Sequence, residues 1–209
     1  MVKRNLVLSF FSASAKIVGG IGLVSILARV FSLSDFGDFT YALTVGTVFG
    51  LIVDYGFNIK VIKDVSTDVN DIDKIVSKTI ASKLFLFIIS MLFFIVVAFL
   101  QKDLKELLIT SMFLFLSLAT FSFTNTFLSV FKGKKEYVND LRVVVVDNFV
   151  TVIVVSTVAL ITKNIQLTAI SFFLSKLTAL LYALWIYYKK NRIYIPSFIE
   201  VVKDLLIAL

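Results

Sequence analysis

The sequence predicts an all-α, polytopic integral membrane protein, and three observations carry that reading. Six apolar stretches of spanning length lie between Leu6 and Tyr188, apolar residues make up 59% of the 209 residues against 17% charged, and the apolar runs do not alternate with polar residues. A helix needs about 20 apolar residues to cross a hydrocarbon core of roughly 30 Å. Lipid offers the backbone no hydrogen-bond partner, so only helices or closed barrels span it. A run such as Leu84 to Leu100 is apolar on every side, whereas a barrel strand would change character at every second residue.

The first stretch, Leu6 to Val30, follows Lys3 and Arg4 and so has the flank of a signal peptide. Lys16 interrupts it, however, and the apolar character resumes to Val30, too long for a cleaved segment. It reads as a retained first span. An external loop, Phe31 to Asp38, leads to the second span, Phe39 to Ile59. Ser34 is the expected cap of that helix, with Asp35 and Asp38 complementing its N-terminal dipole. The next segment, Lys60 to Thr79, interleaves Asp64, Asp68, Asp71, Asp73, Lys74 and Lys78 with Val65, Val69, Ile72, Ile75 and Val76. That spacing fits an amphipathic helix lying on the membrane as a connector.

Ile80 to Leu100, Leu107 to Phe131, Leu141 to Ile161 and Leu167 to Tyr188 complete the six spans, with short external loops at Gln101 to Glu106 and Thr162 to Gln166. Beyond them the single proline, Pro196, reads as a boundary. Leu205 to Leu209 then begins a new apolar element without an end signal. The expected organisation is a six-helix lobe over 1–190 and a cytoplasmic linker with the start of a further helix over 191–209. On this reading the chain is cut short, or is a half-sized version of something longer.

The net charge of +7 is explained by its placement. With the N-terminus in the cytoplasm, that side carries Lys3, Arg4, Lys60, Lys63, Lys74, Lys78, Lys83, Lys132, Lys134, Lys135, Arg142, Lys189, Lys190, Arg192 and Lys203. The other side has Arg29, Lys102, Lys105 and Lys163. Fifteen against four satisfies the positive-inside rule with both termini cytoplasmic. Insertion and anionic headgroups account for the basic balance, so no nucleic-acid partner is needed. The chain has no Cys and no His, which removes disulfides, the commonest general base and the commonest zinc ligand. Nothing in it calls for a cofactor or a metal.

Charges at the bilayer centre cost about 3 kcal/mol each on insertion scales and usually face the bundle interior. Lys16 lies ten residues into the first span, roughly 15 Å deep at 1.5 Å per residue. Lys176 is similarly central in the sixth span, while Asp54 and Asp147 lie only about 8 Å from the cytoplasmic boundary. Thr40, Thr44, Thr47, Asp54 and Asn58 project onto one face about 80° wide. A stripe of that kind lines a cavity. Gly46 and Gly50, spaced as GxxxG, project elsewhere and serve helix packing.

Further polar stripes are Ser9, Ser12, Lys16 and Gly19 in the first span, Thr110, Ser117, Thr120 and Thr124 in the fourth, and Ser171, Ser175, Thr178 and Tyr182 in the sixth. Taken singly, such hydroxyls bond their own helix or a neighbour. Taken together, with two central lysines, they favour a polar central cavity. Each lysine is free to snorkel toward the cytoplasm and pair with Asp54 or Asp147, Lys16 with Asp54 being a plausible pair, or to receive an anionic substrate near the midplane. Lys176 fits the second role.

The most specific local pattern runs from Leu27, Ala28, Arg29, Val30 and Phe31 through Ser34, Asp35, Phe36, Gly37, Asp38 and Phe39 to Asp54, Tyr55, Gly56, Phe57 and Asn58, before Lys63. It resembles the first two helices of polysaccharide and O-antigen flippases, in the multidrug, oligosaccharidyl-lipid and polysaccharide exporter superfamily. There an Arg ends helix one, a short Gly-aromatic loop follows, and an acidic-aromatic-Gly turn nears the end of helix two. The resemblance implies one six-helix lobe of a two-lobe transporter around a central cavity. It also implies an undecaprenyl-pyrophosphate-linked glycan as substrate, carried between leaflets by alternating access, with a second lobe or copy as partner. Cationic residues at the lobe interface would then serve the pyrophosphate. Arg29 is the candidate at a matched motif position, and Lys16 and Lys176 are candidates by depth.

Three competing readings remain. A multidrug exporter of the same superfamily would more often use buried acids for cation coupling, whereas the central charges here are basic. A membrane glycosyltransferase could use Asp35 and Asp38 as catalytic acids, but such enzymes need larger external loops, so an enzyme is not expected. A non-transporting half protein that packs with other subunits is the third.

Overall fold

A computed structural model describes residues 2–67, 71–100, 107–189 and 191, with Val2 and Lys3 described by their backbone alone. Seven helices fill these residues: α1 Val2–Val30, α2 Leu33–Asp54, α3 Phe57–Thr67, α4 Ile72–Leu100, α5 Leu108–Gly133, α6 Tyr137–Thr162 and α7 Ile165–Tyr188. Among the described residues there is no strand. Six spans among them are long and apolar enough to cross a membrane, α2 and α3 together forming one. The protein is an all-α polytopic membrane protein, as composition and run length require.

Helix starts differ from expectation in ways local chemistry explains. α2 begins at Leu33 and not at Phe39, because its cap is Ser32 and not Ser34. The Ser32 hydroxyl accepts from the Asp35 backbone N–H at 3.1 Å and donates to the Asp35 carboxylate at 2.6 Å. Ser32 has an acid three residues ahead, the spacing of a reciprocal cap, whereas Ser34 has Gly37 there. Asp35 stands in the first turn, where it also complements the dipole. On the same side of the lobe Asn164 caps α7, its side-chain oxygen accepting from the backbone N–H groups of Gln166 and Leu167.

The expected amphipathic connector over Lys60 to Thr79 is shorter than its bounds. Its first part is α3 and its last part, from Ile72, is the start of α4. Asp68 and Val69 lie outside the described residues, as do the loop at 101–106 and most of the linker at 191–209. Val61 and Val65 on α3 and Ile72 and Val76 on α4 are buried against Phe131 and Tyr187. One face of α3 therefore packs on the bundle, while Ile59 and Ile62 stay exposed. Its close fit to α5 uses Gly133, where an added Cβ would come within 2.8 Å of Val65 Cγ1.

α5 is the hub, packing against α2, α3, α4, α6 and α7. Its polar face is buried: Thr110, Ser117, Thr120 and Thr124 are each 8% exposed or less. Ser117, Thr120 and Thr124 donate to carbonyls of their own helix, which lets hydroxyls sit inside the bundle without unpaired protons. Ser171, Ser175 and Thr178 on α7 do the same. These two stripes are packing surfaces, and the expected cavity is not lined by them.

α1 docks mainly on α6 and touches α2 sparingly. The two first helices meet near their connection, where Leu23, Leu27 and Phe31 cluster with Phe39 and Ala42. Toward the other end they part. Outward faces of α1 and α4 expose Phe10, Phe11, Ile21, Leu92 and Phe93, the surface expected against lipid.

Candidate functional site

Where α1 and α2 part, α5 forms the floor between them, and two cavities open on that floor. One, of about 210 Å3, is lined by Thr47, Gly50, Leu51 and Asp54 from α2 and by Leu118, Phe121, Ser122 and Asn125 from α5. The other, of about 170 Å3, lies among α1, α6 and α7 and includes Lys16, Gly19, Asp147, Asn148, Thr151 and Lys176. Phe121 lines both.

The sequence dictates how closely these walls approach. Gly46 and Gly50 are buried on α2, and an added Cβ at Gly46 would stand 2.9 Å from the Phe115 backbone nitrogen. The expected packing role of this GxxxG pair is observed, and α5 is the helix it admits. On α1, Gly19 faces Asn148 Oδ1 at 2.6 Å from an ideal Cβ. Ser12 Oγ donates to Asp140 Oδ2 at 2.8 Å. The Ser12, Lys16, Gly19 stripe is therefore the face by which α1 meets α6.

The charges pair differently from the sequence expectation. Lys176 Nζ lies 2.8 and 3.0 Å from the two oxygens of Asp147. Its ammonium is also 5.1 Å from the ring centroid of Phe121 and 5.5 Å from that of Phe172. Lys16 does not pair with Asp54. Its ammonium stands 5.5 Å from the Phe121 centroid and has no ion-pair partner among the described residues. The negative face of an aromatic ring attracts cations, more so where water is scarce. Two lysines against one carboxylate leave this cavity net positive.

Asp54 is held instead by Lys83, which the sequence placed among the cytoplasmic charges. Lys83 is fully buried in α4. Its Nζ donates to Asp54 Oδ1 at 2.8 Å, Asn58 Oδ1 at 3.1 Å, and the Ser122 carbonyl and hydroxyl at 2.9 and 3.0 Å. Asn58 Nδ2 in turn donates to both oxygens of Asp54, at 2.7 and 2.8 Å, and Ser122 Oγ donates to Asp54 Oδ1 at 2.9 Å. This knot ties the break between α2 and α3 to α4 and α5. The break itself is built by Tyr55 at φ 36° and Gly56 at φ +78°, and the latter conformation is one glycine adopts without cost.

The other expected site residues are more dispersed. Thr47 lines the α2–α5 cavity, while Thr44 is exposed one turn away; both hydroxyls donate to carbonyls of their own helix. Arg29 is exposed near the opposite end of α1, thirteen residues from Lys16 and so about 20 Å along the helix. The structure thus brings Lys16 and Lys176 together, groups Thr47, Asp54 and Asn58, and leaves Arg29 apart. Phe121, Ser122, Asn125 and Lys83 were not among the sequence candidates.

The family model described as polysaccharide biosynthesis protein matches residues 2–207. No curated protein and no solved structure matches the chain.

Proposed function

Because the chain belongs to the polysaccharide biosynthesis protein family, we propose that it moves a lipid-linked oligosaccharide across the cytoplasmic membrane during surface polysaccharide biosynthesis. The substrate on this reading is a glycan carried on undecaprenyl pyrophosphate. The observation that carries it is the cavity at Phe121, where Lys16, without an ion pair among the described residues, stands beside the Lys176–Asp147 pair. A surplus cation inside a span is costly, and an anionic group crossing the membrane would offset that cost. The groove between α1 and α2 would be completed by a second lobe or a second copy, with both termini cytoplasmic.

A drug-exporter reading that couples through a membrane-embedded acid has less support, since Asp54, Asp140 and Asp147 each lie within 4 Å of a lysine.

The test is export of glycan-lipid by the full-length protein at matched membrane levels. Lys16→Ala should lower export at least tenfold without lowering protein, because no ion pair among the described residues is broken, and Lys16→Arg should retain part of it. Lys176→Ala should also lower protein, since it strands Asp147, which is 4% exposed. Full export by Lys16→Ala would sink the reading.

A further inference from the structure

The two cavities that share Phe121 differ in chemistry. Among the described residues no free cation lines the α2–α5 cavity: the ammonium of Lys83, beside it, is buried and directed at Asp54, Asn58 and Ser122. An anion therefore meets no cation there and a carboxylate to avoid. A bare cation is poorly matched too, because that carboxylate is already neutralised by Lys83.

What the cavity does offer is a set of neutral hydrogen-bonding positions beside apolar walls. Asp54 Oδ1 accepts from Lys83, Asn58 and Ser122, but Oδ2 accepts from Asn58 alone, which leaves lone-pair capacity. The Asn125 amide, half-buried, has no hydrogen-bond partner among the described residues, so it can donate twice and accept. The Thr47 hydroxyl uses its proton on the Leu43 carbonyl and keeps its oxygen as an acceptor. Leu118 and Phe121 supply the apolar surface.

A ligand that donates and accepts from neighbouring positions of one ring, and shows C–H groups on its faces, meets all of these. We propose that the α2–α5 cavity is a subsite for one neutral sugar ring of a lipid-borne glycan, with Asp54 and Asn125 binding ring hydroxyls and Phe121 dividing it from the lysine-bearing cavity. Its volume of about 210 Å3 lies below the roughly 300–1,000 Å3 of pockets that hold drug-sized ligands, the scale of a single ring. The proposal rests on the lipid-linked glycan reading above, and assigns the ring and the charged group of that substrate to different sides of Phe121.

The test measures binding to the full-length protein in nanodiscs of two probes, undecaprenyl pyrophosphate and the same lipid carrying one N-acetylhexosamine. The wild type should bind the sugar-bearing lipid more tightly. Asn125→Ala should weaken that binding by about three- to tenfold, the worth of one or two neutral hydrogen bonds, and leave the sugar-free lipid unchanged. Asn125 holds no other side chain among the described residues, so the variant should fold; Asn125→Gln, which keeps the amide, should recover part of the loss. Equal affinity of the wild type for the two probes, or an equal loss on both in Asn125→Ala, would overturn the sugar subsite while leaving the transport reading intact. Failure of the wild type to bind either lipid would overturn both. A free hexose that bound as tightly as the glycolipid would reassign the cavity to a soluble sugar and overturn the lipid-borne assignment.

Discussion

Lys83 is the residue on which the α2–α5 wall depends. A fully buried ammonium is tolerated only when every proton finds an acceptor, and here Asp54, Asn58 and Ser122 supply them. Removing one member of a buried pair costs about 3–5 kcal/mol because the survivor is left charged and desolvated. Asp54 retains 31% side-chain exposure, so its penalty falls at the lower end, about 3 kcal/mol. Lys83→Met should therefore lower the unfolding temperature in detergent clearly, and adding Asp54→Leu should recover much of the loss. Thermal unfolding of the two singles and the double measures the coupling, and strictly additive losses would show that the pair is not energetically linked. The sequence concealed this residue because Lys83 falls three residues after the expected start of its span. Helical phase would have revealed it: Val76, Thr79, Lys83, Ser90 and Phe94 are all buried on α4, at spacings that keep one face toward the bundle. The partner expected for Asp54, Lys16, was chosen by depth alone, and depth does not report which side of Phe121 a side chain reaches.

At the scale of the helix, close approach is written in glycine. An added Cβ at Gly46 meets the backbone of α5, one at Gly50 meets the Leu118 side chain at 3.1 Å, and one at Gly20 meets nothing within 4 Å. Backbone cannot give way as a side chain can, and overpacking costs about 1–3 kcal/mol. Alanine substitution should thus destabilise in the order Gly46, Gly50, Gly20, with the last near neutral. Thermal unfolding of the three variants tests that order, and a Gly20→Ala loss equal to that of Gly46→Ala would contradict it. The GxxxG spacing made this contact legible in the sequence, as run length made the six spans legible. Helix ends were less so, because a cap such as Ser32 is decided by which backbone N–H its oxygen reaches. The hydroxyl stripes of α5 and α7 were legible as faces but ambiguous in role. A serine bonded to its own helix and one lining water have the same spacing, and only packing separates them.

For the whole molecule, the buried Lys83 changes the charge count but not its direction. Taking it out of the loop charges leaves fourteen basic residues on the side of the N-terminus against four on the other, still a strong positive-inside bias. The chain alternates sides consistently: α7 ends where α4 begins, with the Tyr187 hydroxyl donating to Asp73 at 2.8 Å, and α5 ends against α3 at Gly133. α1 and α2 meet at their connecting end and part toward the side that carries both α3 and the start of α1. If that side is cytoplasmic, the groove opens toward the leaflet in which a lipid-linked glycan with a cytoplasmic origin would be loaded. The chain contains no cysteine, so single thiols report sidedness without background. Gln166→Cys, exposed at the start of α7, should react with an impermeant maleimide in intact cells, whereas Ser66→Cys, exposed near the end of α3, should react only after permeabilisation. The reverse pattern would place the termini outside, turn the groove toward the opposite leaflet, and leave the flippase reading without a route for its substrate to enter.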